Sequence, residues 1–541
     1  MSLNKLFVVA IDFGTTYSGY AFSTISAKDQ IFTYSWQQGI SQAAKTPTSI
    51  LFTPLKEFDS FGYEAEEKYA GLSQQSRNKD WFFFKRFKLT LYKNSNLDER
   101  TTIRDYTDKE MPAINVFSGG IRFLKEHLFR NFQERLSLLR DQDIQWVLTV
   151  PAIWDEAAKK FMRKAAEKAG ILSENLTLAL EPESAALHCQ SGEEHTGLEP
   201  AKPGDKFLLL DCGGGTIDVT VHEVRHDNSF KEIHKASGGP WGGIKVDDAF
   251  QEYLLDLFGF EAITALPKSD VIELDRSFES LKKKVGTTTN PHYMQIPFSL
   301  RAAAPTGALT AGKLKLDASI VKAFFDKPVK SICKHIAELV SSLHLSGLKT
   351  IILVGGFSES VILQNEIQRK FPSMTVLTPR EPGSAVVKGA VAFGHSPEKI
   401  RFRMSPLTYG IGTAVRFRYG THPEDKFVII NGKEYCKDVF HIHVKINQQV
   451  ETGTPISDEV YTPIYPGQPS LSIKVVSSES RDPSFITDRN CRVIGSFDVR
   501  LPPRAFKPSV NVKMIFSGTE LTVEARDNIT EELYSSSFEF D

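Results

Sequence analysis

The stretch Phe207–Val221, with the sequence FLLLDCGGGTIDVTV, is the segment of this chain that says most about its fold. The apolar run Phe207–Leu210 predicts a buried strand, which stops at Asp211 and is followed by three glycines. The alternating β-branched residues after Thr216 predict a returning strand, so the segment should form a hairpin. Glycines let a ligand approach the backbone closely and let N–H groups point outward, as in a phosphate-binding turn. Taken alone, the pattern also fits a plain flexible turn between two strands.

A second segment near the N-terminus repeats this pattern. The apolar run Phe7–Ile11 leads into Asp12 and then into Gly14-Thr15-Thr16-Tyr17, before another returning strand. Two such turns can face each other across a cleft and hold the phosphates of a nucleotide from both sides. Asp12 and Asp211 would then hold Mg²⁺ through water, because this ion prefers hard oxygen ligands and keeps several of its waters. The pair of turns therefore favours a phosphate site over a plain turn.

Composition indicates an ordinary globular protein of several domains. The chain has 541 residues, of which 41% are hydrophobic, and it carries 65 basic against 66 acidic side chains. This balance of charge does not favour nucleic acid or a membrane surface as a partner. No apolar run reaches the ~20 residues of a membrane span, and the 5 scattered cysteines contain no CxxC pair. We therefore expect a cytoplasmic or nuclear protein without a membrane span.

Five motifs together carry a family resemblance. The segments IDFGTTYSG at 11–19 and LDCGGGTIDV at 210–219 are similar to the two phosphate loops of the actin, hexokinase and 70-kDa heat-shock-protein superfamily. Thr149-Val150-Pro151-Ala152, Glu181-Pro182-Glu183-Ser184-Ala185-Ala186 and Val354-Gly355-Gly356 resemble the heat-shock branch in order and spacing. The chain is thus identified as a member of the 70-kDa heat-shock-protein family, and its departures resemble the divergent subfamily 12.

The resemblance implies a fold class and two domains. We expect an α/β protein with a two-lobed, actin-like ATPase domain of the duplicated ribonuclease-H-like type over residues 1–397. A β-rich, substrate-binding-like domain should follow over residues 398–541, where alternating strand patterns dominate. The chain ends at Asp541 with too few residues for the family's helical lid, so this domain is predicted to be a lidless β-sandwich. Nucleotide, a protein client or other ligand, and a co-chaperone are the partners that the resemblance implies, with ATP or ADP and Mg²⁺ as cofactors.

The resemblance also assigns roles to residues. Lys85, just before Arg86, resembles the family's catalytic lysine, although a lysine that only reaches out to solvent fits the position too. Asp211 and Asp218 match the residues that organise Mg²⁺ and the attacking water, and Thr216 matches one that contacts the γ-phosphate region. A plain loop explains Gly242 and Gly243 as well as a phosphate contact does. The predicted nucleotide-binding residues are Asp12, Gly14, Thr15, Thr16, Tyr17, Gly213, Gly214, Gly215, Thr216, Gly242, Gly243, Glu279, Lys282, Lys283, Gly355, Gly356, Phe357 and Glu359.

The predicted nucleoside wall departs from the family pattern. Glu279, Lys282 and Lys283 share one helix face, which by itself fits a solvated, salt-bridged surface. In the family, Glu279 and Lys282 match residues that contact the ribose, while Lys283 and Glu359 replace two arginines that stack on adenine. A carboxylate cannot supply the cation–π attraction of about 0.5–2 kcal/mol. We therefore expect ATP to bind through its phosphates more than through adenine.

Three residues are predicted to couple the domains. In the family, Pro151 and Glu181 link the nucleotide to the second domain. Lys159 stands where the family has an arginine, and it lacks the bidentate fork of a guanidinium, so we expect looser or rewired coupling. The segment His395–Ile400 also replaces the family's hydrophobic, acidic linker, which casts doubt on stimulated hydrolysis.

A zinc-protease motif, HEVRH at 222–226, continues an alternating strand pattern. On a strand its two histidines would lie about 13 Å apart, too far for one zinc ion. The sequence thus favours an ATP-binding protein with slow, Mg²⁺-dependent hydrolysis coupled to client binding, that is, a weak ATPase. A non-catalytic, nucleotide-gated receptor or scaffold stays open as an alternative. A small-metabolite kinase is less favoured, since the appended β-domain is not expected for it.

Overall fold

The computed structural model describes residues 5–38, 41–94, 97–133, 140–341, 347–502, 507–517 and 520–539. The chain forms two compact units. The first comprises Met1–Trp154, Ala158–Val224 and Ala236–Pro397, and the second comprises Asp155–Ala157, Arg225–Lys235 and Glu398–Asp541. The division into a nucleotide-binding domain and a substrate-binding-like domain stays a prediction about their roles.

The first unit contains two large sheets with the same strand topology. In the first sheet, Phe7–Phe13 forms an antiparallel hairpin with Tyr17–Thr24 and pairs in parallel with Ile144–Val150. Leu176–Leu180 pairs in parallel with Ile144–Val150 on the other side. Phe7–Phe13 is buried along its whole length, as its continuous apolar sequence predicts. Two short strands complete this sheet, Phe32–Thr33 and Thr46–Pro47.

The second sheet repeats this arrangement. Lys206–Cys212 forms an antiparallel hairpin with Ile217–Val224 and pairs in parallel with Thr350–Val354. Thr375–Leu377 pairs in parallel with Thr350–Val354. Each sheet therefore has an aspartate-bearing hairpin beside two parallel strands, which is the arrangement expected of a duplicated domain. In both sheets the aspartate lies near the carboxyl end of its strand, where ligands of α/β sheets commonly bind.

Helices and small sheets connect these strands. The helices are Gly62–Gln74, Ala113–Gln133, Glu156–Lys168, Glu181–Cys189, Glu193–Thr196, Ile244–Phe258, Phe260–Thr264, Lys268–Lys284, Phe298–Arg301, Ala318–Val340, Val361–Lys370 and Ala385–His395. The smaller strands of the first unit are Trp36–Gln38, Ser41–Ala43, Ser49–Phe52, Phe58–Phe61, Phe82–Lys85, Thr102–Arg104, Glu110–Pro112, His292–Gln295, Leu309–Thr310 and Lys313–Leu316. Among the described residues, none of the helices combines the length and the hydropathy that a membrane-spanning segment requires.

The second unit consists mainly of two antiparallel sheets. Residues from both sheets belong to one hydrophobic cluster, for example Tyr409 and Val475 from one sheet and Val512 and Val523 from the other. The first sheet has the order Phe427–Ile430, Lys433–Val444, Thr408–Arg416, Ser470–Ser478 and Cys491–Arg500. The second has the order Pro455–Tyr461, Val510–Ser517, Glu520–Asp527 and Leu533–Glu539. Ile400–Met404 pairs with Gln449–Glu451. The strand Phe230–Gly239 begins in this unit.

Some element boundaries differ from the sequence-based expectation. The amphipathic pattern from Ile121 to Leu139 predicts a helix, which in the structure is Ala113–Gln133; Leu139 lies outside the described residues. The earlier start includes Gly120, which lowers helix propensity. A methyl group at Gly120 would lie 2.7 Å from the Phe13 ring, so the glycine is needed where this helix packs on the first sheet. Tertiary packing therefore overrides the local preference.

The glycine turn expected at Ser237–Gly243 is shorter than predicted. Its first three residues belong to the strand Phe230–Gly239, and the helix Ile244–Phe258 begins directly after Gly243. The alternating run Val510–Ala525 forms two strands rather than one, paired as an antiparallel hairpin. Periodicity is the same on both sides of such a turn, so it does not reveal the break.

A buried histidine in the second unit should make stability depend on pH. His443 lies 2.5 Å from Ser457 Oγ through Nδ1 and 2.7 Å from the Tyr461 hydroxyl through Nε2. Burial, with a smaller contribution from His441, lowers the pKa of His443 from 6.5 to about 4. The unfolded chain therefore takes up a proton on His443 below about pH 6.5, whereas the folded chain does not until about pH 4.

The free energy of unfolding of this unit should be highest above pH 7. It should fall by up to about 3 kcal/mol as the pH drops from about 6.5 to about 4. Denaturant unfolding of the full chain across this range would measure the loss. His443→Gln, which cannot titrate, should flatten the dependence, whereas the neighbouring His441→Gln should keep it. Equal pH profiles for the two variants would show that another group is responsible.

Candidate nucleotide-binding cleft

The two glycine turns lie against each other. A methyl group added to Gly214 would lie 2.2 Å from Thr16 Oγ1, and one added to Gly215 would lie 2.7 Å from Thr15 Oγ1. Both distances are shorter than van der Waals contact, so the turns approach this closely only because the second one carries glycines. The structure therefore brings both predicted phosphate loops to one cleft of about 470 Å³.

The first turn is held by a neighbouring segment. The amide and the hydroxyl of Thr48 donate hydrogen bonds to the carbonyls of Thr16 and Gly14, each at 2.8 Å. A methyl group at Gly14 would lie 2.3 Å from the Tyr17 carbonyl oxygen, so this tight turn requires a glycine. Gly14, Thr15, Thr16 and Tyr17 all line the cleft, as predicted from sequence.

The loop with Gly242 and Gly243 supports the second turn. The amide of Gly242 donates to the Gly215 carbonyl at 3.2 Å, and the amide of Gly243 donates to the Gly213 carbonyl at 3.1 Å. A methyl group at Gly242 would lie 2.4 Å from the Gly214 carbonyl oxygen. Gly243 lines the cleft and Gly242 does not. These two amides therefore bind protein carbonyls, and the loop contributes by holding the phosphate turn in place.

An ion pair lies at the end of the first strand. Asp12 is buried; its Oδ1 accepts a hydrogen bond from Thr149 Oγ1 at 3.0 Å, and its Oδ2 lies 2.5 Å from the ammonium of Lys45. Burial would raise the pKa of Asp12, but the charges of Lys45 and Lys88, with these hydrogen bonds, lower it below the usual value. Asp12 is thus an ionised carboxylate with a cation already beside it.

The second aspartate, Asp211, has no such cation beside it in the described part of the chain. Burial raises the pKa of Asp211 well above its usual value, and the carboxylates of Glu181, Asp218 and Asp12 raise it further. Burial and Glu181 raise the pKa of Asp218 to about 7, while the amide of Ile153 donates to it at 2.9 Å. Among the described residues, no lysine or arginine nitrogen lies within 4.0 Å of Asp211 or Asp218. Asp211 lines the cleft, whereas Asp218, its partner across the hairpin, does not.

Lys88, rather than Lys85, is the lysine beside the aspartates. Its ammonium lies 2.8 Å from Glu181 Oε1 and 5.0 Å from the centre of the Trp154 ring, and its side chain is 2% exposed. The ammonium of Lys85 instead lies 3.0 Å from Asp275 Oδ2, and its side chain lines a neighbouring pocket. The structure therefore places Lys88 in the cleft lining and Lys85 outside it. Which of the two lysines takes part in catalysis stays a prediction.

The backbone conformation explains why Lys88, and not Lys85, lies in the cleft. Lys85 is the last residue of the strand Phe82–Lys85, and Arg86 adopts a left-handed conformation with φ of 59°. The short 3₁₀ helix Phe87–Leu91 follows and carries Lys88 into the cleft. A left-handed residue other than glycine has no reliable sequence signal, so the sequence did not show that the chain turns between Lys85 and Lys88.

The helix residues of the predicted nucleoside wall are where they were expected. Glu279, Lys282 and Lys283 all line the cleft. The ammonium of Lys282 lies 2.7 Å from Glu279 Oε2 and 2.6 Å from Asp247 Oδ1. That of Lys283 lies 4.7 Å from the centre of the Tyr17 ring. The face is therefore both a salt-bridged surface and part of the cleft wall.

The second part of this wall is the glycine-rich segment after the strand Thr350–Val354. Gly355, Gly356, Phe357 and Glu359 line the cleft. Gly355 has a φ of 83°, and a methyl group there would lie 2.5 Å from Asp211 Oδ1, so only glycine fits between the wall and the phosphate turn. Burial raises the pKa of Glu359 above its usual value.

The predicted coupling residues take different positions. Glu181, the first residue of the helix Glu181–Cys189, lines the cleft and pairs with Lys88. Pro151 and Lys159 are buried outside the cleft lining. The role of these residues in domain coupling stays a prediction.

Sequence reasoning missed several lining residues. They come from helices, strands and loops that carry none of the motifs, and only the tertiary fold brings them to the cleft. They are Gln42, Ala43, Ala44, Lys45, Tyr63, Lys88, Ser360, Glu381, Gly383, Ser384 and Val386.

The donor set at the bottom of the cleft fits a hydrated Mg²⁺. Within the described part of the chain, no three His, Cys, Asp or Glu side chains are grouped so as to hold a metal directly. The HEVRH segment, for instance, begins with the buried His222 on the strand Ile217–Val224. Asp12 and Asp211 nevertheless both offer hard carboxylate oxygens to the same cleft, and these are the ligands that a hydrated Mg²⁺ prefers.

Two facing glycine hairpins on duplicated sheets, with carboxylates at their base, are the mark of a nucleotide-binding protein with the actin-like ATPase fold. The chain belongs to the Hsp70 family: the family described as "Hsp70 protein" matches residues 8–419. The chain is 33% identical to human "Heat shock 70 kDa protein 12B", over 98% of this chain and 91% of that protein. It is 32% identical to "Heat shock 70 kDa protein 12A" of Mus musculus and of Homo sapiens, over 97% of this chain and 90% of each protein. The family resemblance seen in the motifs is thereby confirmed.

Proposed function

We propose that this protein binds ATP in the cleft between the two glycine turns and hydrolyses it slowly with Mg²⁺. The observation that carries the proposal is the close approach of Gly214 to Thr16 and of Gly215 to Thr15. Backbone groups of both turns then surround a polyphosphate, and glycines leave room for it. Family membership supports nucleotide binding independently.

Several charged and polar residues of the cleft would contribute to phosphate binding and hydrolysis. Lys88 is held by Glu181 and supplies a buried positive charge toward the transferred phosphoryl group, a positional and electrostatic role. Thr216 lines the cleft beside the glycines and offers a hydroxyl to the phosphates. Asp12 and Asp211 would hold Mg²⁺ through water; when bound, this ion supplies charge neutralisation on the phosphates.

Binding measurements test this proposal directly. In isothermal titration calorimetry with Mg²⁺, ATP should bind at least about tenfold more tightly than adenosine, which corresponds to about 1.4 kcal/mol. The reason is that both phosphate turns are complete, whereas the wall presents Glu359 to the base instead of an arginine. Inorganic tripolyphosphate should compete with ATP. Adenosine binding as tightly as ATP would contradict a site organised around phosphate.

We further propose that the second unit is a β-sandwich that engages a ligand or protein client. Edge strands and exposed apolar residues are common recognition features. Phe427–Ile430 is an edge strand of the five-stranded sheet; its Ile429 is 64% exposed, and Tyr419, whose ring lies 6.5 Å from that of Phe427, is 73% exposed. Client binding linked to ATP through Glu181, Pro151 and Lys159, and a co-chaperone partner, belong to the same proposal.

A non-catalytic, nucleotide-gated receptor is the second candidate. Glu279, Glu359 and Glu381 all line the cleft, and this acidic wall favours a site that has moved away from the family's adenine contacts. Phosphate release from ATP, followed over hours, separates the two candidates. Release above the level of a Lys88→Met protein supports the ATPase, and release equal to that level supports the receptor.

A further inference from the structure

Lys45 is a cleft lysine that none of the roles above requires. Its ammonium lies 2.5 Å from Asp12 Oδ2, and its side chain is 19% exposed within the cleft lining. The other oxygen of Asp12 accepts a hydrogen bond from Thr149. Lys45 therefore lies at the carboxylate to which the proposed function assigns a hydrated Mg²⁺.

The position of Lys45 is built by its neighbours. Thr46 Oγ1 accepts a hydrogen bond from the Tyr63 amide at 3.2 Å, and Thr48 donates to the first phosphate turn. A methyl group at Gly19 would lie 3.1 Å from Lys45 Cγ, so this glycine leaves room for the lysine stem. The segment that carries Lys45 is thus attached to the phosphate turn itself. The lysine is not a surface side chain that happens to reach Asp12.

The two lysine–carboxylate pairs of the cleft determine how a phosphate group and a metal ion can bind there. Asp12 and Glu181 each face one lysine of the cleft, Lys45 and Lys88 respectively. Each pair is neutral in the nucleotide-free cleft, but an ammonium that also contacts phosphate oxygens places positive charge beside them without a divalent ion. The ammonium of Lys45 weakens the binding of a hydrated metal ion at Asp12 by charge repulsion, and removing Lys45 would strengthen it.

We propose that Lys45 is a resident cation of this cleft: it binds the polyphosphate of the nucleotide directly, so that nucleotide binding depends only weakly on Mg²⁺. The inference rests on the proposed ATP site. The inference adds a phosphate-positioning residue to that site and makes nucleotide binding largely independent of the metal.

The experiment compares a fluorescent ATP analogue binding to the full-length protein in Mg²⁺ and in EDTA. The variants are Lys45→Met, Lys45→Arg and, as a control, Lys125→Met. Lys125 is likewise a largely buried lysine in an ion pair, with Asp141, but it lies outside the cleft. Thermal melts of all variants establish that they are folded.

For the wild-type protein, the Kd in EDTA should lie within about fivefold of the Kd in Mg²⁺. Lys45→Met should bind at least about tenfold more weakly than wild type in EDTA, yet within about fivefold of it in Mg²⁺. Lys45→Arg keeps the charge and should retain binding in EDTA, and Lys125→Met should behave as wild type.

Two results would overturn the inference: a wild-type protein that loses about 100-fold or more in EDTA, or a Lys45→Met protein that binds as wild type does in EDTA. Both leave the proposed function standing if the Mg²⁺ complex of the analogue still binds. No binding in either buffer would instead reject the proposed function and this inference together. The wild-type comparison needs no variant and so decides even if Lys45→Met fails to fold.

A metal titration gives a readout without nucleotide. Mn²⁺ uptake by the nucleotide-free protein, followed by electron paramagnetic resonance, should be about tenfold tighter in Lys45→Met than in wild type, because Asp12 is released. Equal or weaker Mn²⁺ binding by the variant would contradict competition at Asp12.

Discussion

Replacing Lys88 with methionine should slow single-turnover cleavage of ATP by about 100-fold or more, because removing one preorganised charge from a buried site commonly costs that much. The ammonium of Lys88 is 2.8 Å from Glu181 and belongs to the same cleft as Asp12 and Asp211. Rapid mixing with a single equivalent of ATP, with quench and separation of ADP, measures the rate. Affinity for ATP should fall much less than the rate, since the two turns stay in place.

Lys85→Met is the matched control for this experiment. Lys85 pairs with Asp275 and lies outside the cleft lining, so its loss should change the cleavage rate by less than about twofold. A slow Lys85→Met protein with a normal Lys88→Met protein would restore the assignment made from sequence. Because Lys88→Met leaves Glu181 buried without its partner, a melt is required, and Lys88→Arg provides a variant that keeps the charge.

Gly214→Ala should abolish tight nucleotide binding, with a loss of about 100-fold or more in affinity, or about 2.7 kcal/mol. The added methyl group would lie 2.2 Å from Thr16 Oγ1 and 2.6 Å from Thr16 Cγ2, so one of the two turns must move. Since both turns surround the phosphates, either movement opens the cradle. Calorimetry with ATP and Mg²⁺ measures the effect.

Two further variants make this test specific. Gly71→Ala lies in the helix Gly62–Gln74, where a methyl group meets nothing within 4 Å, and it should bind ATP as wild type does. In the Gly214→Ala background, Thr16→Ala removes the atoms that clash and should recover part of the affinity. Unchanged ATP binding by Gly214→Ala alone would show that the close contact of the two turns has no part in binding.

Local patterns were enough to predict the two glycine hairpins. At Asp12 and Asp211, an apolar run, an aspartate and a glycine turn follow one another within a few residues, and each is a short-range signal. The spacing of Glu279, Lys282 and Lys283 likewise predicted one shared helix face, whereas the family resemblance implied that this face lines the cleft, as it does. The match of these elements to one family followed from their order along the chain.

Other features depended on packing between distant segments. Gly242 lies in the loop that the sequence predicted. Only the tertiary structure shows that its amide donates a hydrogen bond to the Gly215 carbonyl and not to a ligand. The helix Ala113–Gln133 contains Gly120 although glycine lowers helix propensity, because a larger side chain there would clash with the Phe13 ring. The Gly215 carbonyl and the Phe13 ring both lie far along the chain from the glycines that contact them. No local sequence pattern could therefore predict these contacts.

The difference between what local sequence determines and what the tertiary fold determines is clearest for the charged residues of the cleft. The positions of the two glycine turns are determined by consecutive residues, because strand, aspartate and glycine act through the local conformation of the chain. Which ammonium groups accompany them was decided by the folded molecule: Lys88 through the left-handed turn at Arg86, and Lys45 through the attachment of its segment to the first phosphate turn. A long, flexible side chain can reach any site within several ångströms, so its partner depends on where the fold brings the carboxylates.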